Sequence, residues 1–439
     1  MKKTSFNDLK TFSIVTLGCK VNTYESNIIQ NDLLSFGLIK VPFGEKADLS
    51  IVNTCSVTNT ADSKSKNMIN RASAKNPDTI VLVCGCYSQV ASNNLKDDYG
   101  IDILLGNKYK NNIVEVLNKF FKEKNKQLVK VDNLLLEKEF EDSKIDIFKD
   151  KTRAFVKIQD GCNYMCSYCI IPFTRGKQRS KDFTKLLDEI KLLVKNNYKE
   201  IVLTGVNTAG YSHEDKNFYD LLLAISKLEG NFRVRISSLE PFQISDEIIN
   251  LICMNPKRFA QHWHICLQSG SDQVLKQMNR KYTTNQFYDL VSKIYSLNNF
   301  TSISTDYICG FPTETNEDHL DSMEFVKKVG FSKIHVFPYS KRSFTPAARL
   351  KQIHDQRKTD RVKDMLTLND TLHTNFLKRF INKEVEVLFE KFENDVNTGY
   401  CGEYFTVHVK SNINYTNTIQ KVTIKHIIFN EAFGEILKK

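Results

Sequence analysis

The chain has 439 residues, 41% of them apolar, which is enough for two to four buried cores and excludes global disorder. Its 62 lysines and arginines against 51 acidic residues leave a charge of +11, which suits a polyanion such as nucleic acid. No run approaches the roughly 18 apolar residues of a membrane span, and MKKTSFNDLK lacks the apolar core of a secretion signal, so a cytoplasmic protein without a membrane partner is expected.

Residues 12–120 alternate strand and helix signals. FSIVTLGC (12–19), DLSIVNTC (48–55), TIVLVCGC (79–86) and IDILLGN (101–107) are short apolar runs, separated by helix-like stretches such as Tyr24 to Phe36 and Ala61 to Ala74. Repeats of this kind imply parallel strands joined by right-handed crossovers. Residues 1–121 therefore read as an open parallel α/β domain. Residues 122–151 are densely charged without clear periodicity and read as a linker.

A second α/β series starts at residue 152. Its strand candidates are AFVKIQ (154–159), EIVLTG (200–205), FRVRISS (232–238), HWHICLQ (262–268), TSISTDYICG (301–310) and SKIHVFP (332–338). Six such repeats within 152–375 predict a partial (β/α)6 barrel, with functional groups at the C-terminal strand ends. Residues 355–380 read as one long amphipathic helix. The remainder of 376–439 alternates apolar and polar residues and predicts a small β-barrel.

Eleven cysteines in a chain without an export signal argue against a disulfide framework and for buried thiols, catalysis or metal. Cys162, Cys166 and Cys169 follow the first strand of the second series with C-x3-C-x2-C spacing. Zinc sites usually pair C-x2-C with a second pair, and none lies nearby. A [4Fe–4S] cluster usually takes four cysteines. Three would leave one iron open to the amino and carboxylate groups of S-adenosylmethionine, the arrangement that radical enzymes using this cofactor require. Tyr168, between the last two cysteines, is a candidate to pack by the cofactor's adenine.

Cys19, Cys55 and Cys86 each lie just past a predicted parallel strand, where ligand crevices form in open sheets. They could converge on a second metal site. Cys84 competes with Cys86, although Cys86 lies beyond the strand and beside a glycine. Cys253, Cys266, Cys309 and Cys401 sit in apolar patterns and read as buried thiols.

Taken together, TLGCKVNTYES (16–26), VNTCSVTN (52–59), CGCYSQ (84–89), DGCNYMCSYCIIPFTRGKQRS (160–180), LTGVN (203–207), RISSLEP (235–241), HICLQSGSDQVLKQMNRKYT (264–283) and DYICGFPTET (306–315) resemble the methylthiotransferase family over almost the whole chain. The resemblance implies two [4Fe–4S] clusters, the second held by Cys19, Cys55 and Cys86, and a TRAM-like RNA-binding barrel at the end. GCKVNTYE resembles the branch acting on N6-threonylcarbamoyladenosine at tRNA position 37; the isopentenyladenosine branch tends to read GCQMN. The other readings are that isopentenyl branch, methylthiolation of a ribosomal aspartate, and a non-enzymatic iron–sulfur RNA-binding protein. In YSKRSFTPAA (339–348), Phe344 stands where the family usually has glycine.

The implied chemistry uses two molecules of S-adenosylmethionine. One methylates sulfur at the second cluster. The other is cleaved to a radical that takes hydrogen from C2 of adenine, a bond too strong for acid–base chemistry. The electron donor would be a flavodoxin or ferredoxin. Gly205, Asn207, Ser237, Glu240, Gln268 and Ser269, at successive strand ends, are candidates to hold the cofactor. Arg175, Lys177 and Arg179 are candidates for tRNA phosphate contacts.

Overall fold

Parallel strands form where the chain offers unbroken apolar runs between helices, since both faces of each strand are then covered. The computed structural model describes residues 5–74, 77–96, 100–123, 127–141, 143 and 152–437. The first sheet contains β1 (Thr11–Thr16), β2 (Ile39–Lys40), β3 (Leu49–Thr54), β4 (Ile80–Gly85), β5 (Ile103–Leu105) and β6 (Leu128–Lys130). All neighbours are parallel, in the order β2-β1-β3-β4-β5-β6. Its crossovers include α1 (Lys20–Ser35), α2 (Asn59–Ala74), α3 (Cys86–Leu95) and α4 (Ile113–Glu123). Part of the expected linker is thus structured: Leu128 to Lys130 complete the sheet beside β5. Residues 124–126, 142 and 144–151 of that stretch lie outside the described residues.

The second series opens with β7 (Arg153–Lys157) and two short pieces, β8 (Gln159–Asp160) and β9 (Arg179–Ser180), which pair around α5 (Ile171–Arg175). After α6 (Phe183–Lys195) comes β10 (Glu200–Thr204), a two-stranded loop of β11 (Ser212–His213) and β12 (Lys216–Asn217), α7 (Phe218–Ser226) and β13 (Arg233–Ile236). The series continues with α8 (Asp246–Cys253), β14 (His262–His264), α9 (Asp272–Gln277), α10 (Thr284–Leu297), β15 (Ser302–Cys309), α11 (Asn316–Val329) and β16 (Lys333–Pro338). Strands β7-β10-β13 and β14-β15-β16 form two parallel sheets, linked by the bridges Val234–Phe259 and Leu239–Ile265. The result is a six-stranded partial barrel.

The long helix α12 (Asp355–Lys378) leads into β17 (Glu384–Glu393), β18 (Val396–Cys401), β19 (Thr406–Lys410), β20 (Ile419–Ile428) and β21 (Glu431–Ile436), which close into a barrel. No helix among the described residues is long and apolar enough to cross a membrane.

Two buried charge networks bind these parts together. Glu200 accepts from Arg235 Nε at 2.8 Å and from Arg233 Nε at 2.6 Å. Both guanidinium groups also donate to carbonyls of the C-terminal barrel: Arg233 to Glu386 and Tyr400, Arg235 to Cys401 and Gly402. The Tyr404 ring sits 4.2 Å from the Arg235 guanidinium. The C-terminal barrel therefore closes the N-terminal end of the partial barrel.

The other network joins the first sheet's domain to the partial barrel. Glu25 of α1 accepts from Arg175 Nη1 at 2.8 Å, from Lys157 at 2.9 Å and from Lys110. Arg175 also reaches Asp160 at 3.1 Å and donates to Asn22 Oδ1 at 2.6 Å. Burial alone would raise the Glu25 carboxyl, but Arg175, Lys110 and Lys157 hold it well below the usual carboxylate range. Arg175 and Arg179 are buried in this region, which removes them as phosphate contacts; Lys177 alone of the three is exposed.

A depressed folded-state pKa means that Glu25 stabilises the protein above its unfolded value, about 4.3, and that this contribution is lost as pH falls from there. Glu25→Gln leaves three cations short of a partner and is expected to cost about 3–5 kcal/mol at pH 7. Its apparent Tm should also fall less steeply than that of the wild type between about pH 5 and pH 3. Thermal scans across that range check both expectations; equal pH slopes would show that Glu25 is not the group that titrates.

Candidate metal centres and an adjoining cavity

Cys162, Cys166 and Cys169 lie on the loop between β8 and α5. The loop is held by backbone and side-chain bonds rather than by packing alone. Cys162 N donates to Gly176 O and Cys169 N to Cys166 O, each at 3.0 Å. Ser167 donates to the carbonyls of Met278 and Gln277, and Asn279 donates to Met165 O. The end of α9 thus grips the loop from one side. Two donors already face the sulfurs: Tyr164 N lies 3.4 Å from Cys162 Sγ and Arg280 Nη1 lies 3.3 Å from Cys166 Sγ.

The donor set fits a cationic centre. Burial pushes the Cys169 thiol up to about 12 and the Cys162 thiol up to about 11, and in both cases the nearby Cys166 adds to the shift. Three sulfurs this close repel one another as thiolates unless a metal supplies positive charge.

The second group forms at the C-terminal ends of β1, β3 and β4. Cys19 is the residue before α1 and makes no capping bond, so its exposed thiol is available to the cleft. Gly18 adopts φ +92°, and a Cβ there would lie 2.7 Å from Cys55 Sγ, so only glycine lets the two segments approach. Cys86 is the first residue of α3, after Gly85 at φ +106°. A Cβ on Gly85 would strike Thr54 O at 2.4 Å. Burial pushes the Cys55 thiol up to about 11, with Cys86 and Cys19 both adding to the shift, so the three sulfurs share one locality. Cys84 instead packs in the apolar core with residues such as Phe12, Ile51 and Ile103. Asn107 Nδ2 lies 3.7 Å from Cys86 Sγ and donates to Thr174 O at 2.7 Å, which ties this group to the helix following the other cysteine loop.

A cavity of about 190 Å³ lies beside Cys169, between the segment that follows Cys55 and the partial barrel. It is lined by Val57 and Thr58 on one side and by Tyr168, Cys169, Gln268 and Asp306 on the other. Tyr168 is backed by Met278, Phe311 and Tyr339. Gln268 reaches the cavity in a left-handed conformation, φ +67°.

The other strand-end candidates divide. Asn207 is 2% exposed, and neither its side-chain oxygen nor its nitrogen has a partner. An orphaned buried amide of this kind fits a ligand. Gly205 leaves room beside Gln159, whose Oε1 would lie 3.0 Å from an added Cβ. Glu240 is committed to an ion pair with Arg280 and so reaches the cysteine loop through that arginine. Ser237 donates to Leu203 O at 2.8 Å, and Ser269 Oγ accepts from Ser271 N at 3.3 Å. Each hydroxyl thus already has one backbone partner. Phe344 is 57% exposed and rests on Phe173 at 6.0 Å, so the ring in place of the usual glycine is accommodated at the surface. Its neighbour Arg342 pairs with Asp62 of α2.

The barrel interior holds groups that the sequence reading passed over. His264 Nε2 lies 3.3 Å from Asp306 Oδ2, and Cys266 Sγ joins them within 4.8 Å. Cys266 therefore faces polar groups and not the plain apolar surroundings expected of it. Strand alternation in HWHIC and STDYIC already puts these side chains on one face, which was the available signal.

Comparison with known proteins bears on this geometry. Residues 11–106 match the uncharacterized protein family UPF0004, and residues 156–326 match the radical SAM superfamily. A relative from Bacillus subtilis (strain 168), threonylcarbamoyladenosine tRNA methylthiotransferase MtaB, is 38% identical over 95% of this chain and 94% of its own length. The protein of the same name from Thermotoga maritima is 36% identical over 91% of each chain. A tRNA-2-methylthio-N(6)-dimethylallyladenosine synthase from Desulforamulus reducens is 33% identical over 88% of this chain and 86% of its own. Among solved structures, the radical S-adenosylmethionine methyltransferase TsrM from Kitasatospora setae shares the fold, with TM-score 0.57, 13% identity and 77% of each chain covered. The chain belongs to the methylthiotransferase family of radical S-adenosylmethionine enzymes.

Proposed function

We propose that this enzyme methylthiolates C2 of N6-threonylcarbamoyladenosine at position 37 of the tRNA anticodon loop, with two [4Fe–4S] clusters and S-adenosylmethionine as cofactors. The observation that carries the reading is a pair of three-thiol groups, with a cavity beside Cys169 that the segment after Cys55 also lines, in one chain whose curated relatives include tRNA methylthiotransferases. Cys162, Cys166 and Cys169 would hold one cluster, and Cys19, Cys55 and Cys86 the other. When bound, these groups supply the reductive cleavage of S-adenosylmethionine and the sulfur that is transferred.

The chain's own residues do the rest. The free amide of Asn207 and the bare backbone at Gly205 fit the polar part of S-adenosylmethionine, while Tyr168 and Gln268 line the space toward Asp306. Arg280, oriented by Glu240, donates to Cys166 Sγ. The C-terminal barrel and α1 close the interior and keep water from a reactive radical. Residues 1–121 and 152–375 carry one centre each, and the TRAM-like residues 376–439 bind RNA. The target base leaves its stack to enter, as base-modifying enzymes require. A flavodoxin or ferredoxin supplies the electron in the cytoplasm.

Nucleosides from tRNA of a deletion strain should lack 2-methylthio-N6-threonylcarbamoyladenosine and retain the isopentenyl derivative on mass spectrometry. Loss of the isopentenyl derivative alone would transfer the enzyme to the other branch. Replacing Cys166 with Ala should abolish 5′-deoxyadenosine formation in anaerobic turnover; continued formation would remove the loop from the chemistry. Cys86→Ala should keep cofactor cleavage but give no methylthio product, whereas Cys84→Ala should keep both. The reverse pattern would exchange the two residues.

A further inference from the structure

The first residue of α1, Lys20, stands beside Cys19 and turns into the partial barrel. Its ammonium lies 5.8 Å from the centre of the Tyr404 ring, and its charge acts on His262, His335 and Asp306 across the interior. Other cations there are committed. Arg233 and Arg235 are fixed to Glu200 and to carbonyls of the C-terminal barrel, and Arg153 is paired with Glu390. The nearby carboxylates are committed too: Glu200 to those arginines and Asp306 to His264. Among the described residues, no carboxylate oxygen lies within 4.0 Å of the Lys20 ammonium, and it donates no hydrogen bond. A cation drawn out of water without a counter-charge is costly, and a ligand that brings the anion removes that cost.

The substrate class proposed above carries such an anion. The threonylcarbamoyl group ends in a free carboxylate, whereas an isopentenyl group is neutral. The carboxylate of S-adenosylmethionine would be taken up by the cluster that Cys162, Cys166 and Cys169 would hold. The phosphates of tRNA stay outside an interior closed at one end by the C-terminal barrel. We infer that Lys20 receives the threonyl carboxylate of the substrate and is a specificity-determining residue for the acidic adenosine. This inference rests on the substrate reading of the preceding section.

The test uses reconstituted full-length enzyme and two anticodon stem-loops, one with N6-threonylcarbamoyladenosine and one with its methyl ester. Binding is read by fluorescence anisotropy and turnover by mass spectrometry. Wild-type enzyme should bind the free acid about 10- to 100-fold more tightly than the ester, the range of one charge-assisted hydrogen bond. Lys20→Gln should lose that margin by weakening on the acid only, with KM rising more than kcat falls. Lys20→Arg should restore most of it. Iron content and 5′-deoxyadenosine formation should not change.

Equal wild-type affinity for acid and ester would overturn the role of Lys20 while leaving the substrate intact. Equal weakening of both RNAs in Lys20→Gln would make it a phosphate contact. Loss of iron in that variant would make it a counter-ion of the neighbouring cysteine group. A wild-type enzyme that leaves the acid stem-loop unmodified overturns the substrate reading itself, and this inference with it.

Discussion

The buried pair formed by Glu25 and Arg175 is the constraint on which the site depends. Arg175 ends the short helix that follows the C-x3-C-x2-C loop, and Glu25 belongs to the helix that begins just after Cys19. One bidentate contact therefore relates the two cysteine groups. Lys110 and Lys157 crowd the same carboxylate, and Asp160 balances part of the excess positive charge. Such a cluster adds little net stability when intact, but it becomes expensive when one member is removed. Its consequence is geometric: neither half can slide without stranding a charge.

The partial barrel departs from the apolar packing usual in closed barrels. Glu200, Arg233, Arg235, His262 and His264 lie on its strands and point inward in successive layers, and the C-terminal barrel meets them with carbonyls and Tyr404. A polar interior suits a chamber that must admit a nucleoside and a sulfonium cofactor. It also means that the C-terminal barrel is a wall of that chamber as well as an appendage. RNA engaged by the outer face of this barrel would lie close to the chamber.

The two thiol groups are built by different means. The loop at 162–169 is local, with three ligand candidates within eight residues, and it is steadied by α9 from outside. The other group is assembled from three crossovers, each ending in a tight turn. There Gly18 and Gly85 remove the side chains that would hold the strand ends apart. A substitution in the first group acts on one loop, whereas a substitution at either glycine displaces whole strand ends.

Much of this was legible in the order of residues alone. Apolar runs ending in Gly-Cys or Thr-Cys set the parallel sheet, and cysteine spacing marked the first thiol group as a candidate, because both depend on neighbours in the chain. The alternation at 384–436 announced the closed barrel for the same reason. Residue order left Cys84 and Cys86 as rivals, since the turn at Gly85 decides which thiol leaves the apolar core. It offered Arg175 and Arg179 as surface charges, because only the approach of two domains shows them to be buried. It gave Ser237, Ser269 and Asn207 equal standing, although Ser237 finds a partner on a strand 34 residues away, Ser269 finds one two residues on, and the buried Asn207 side chain is left with none. Burial and pairing are properties of contacts between segments far apart in sequence, and the tertiary structure alone determines them.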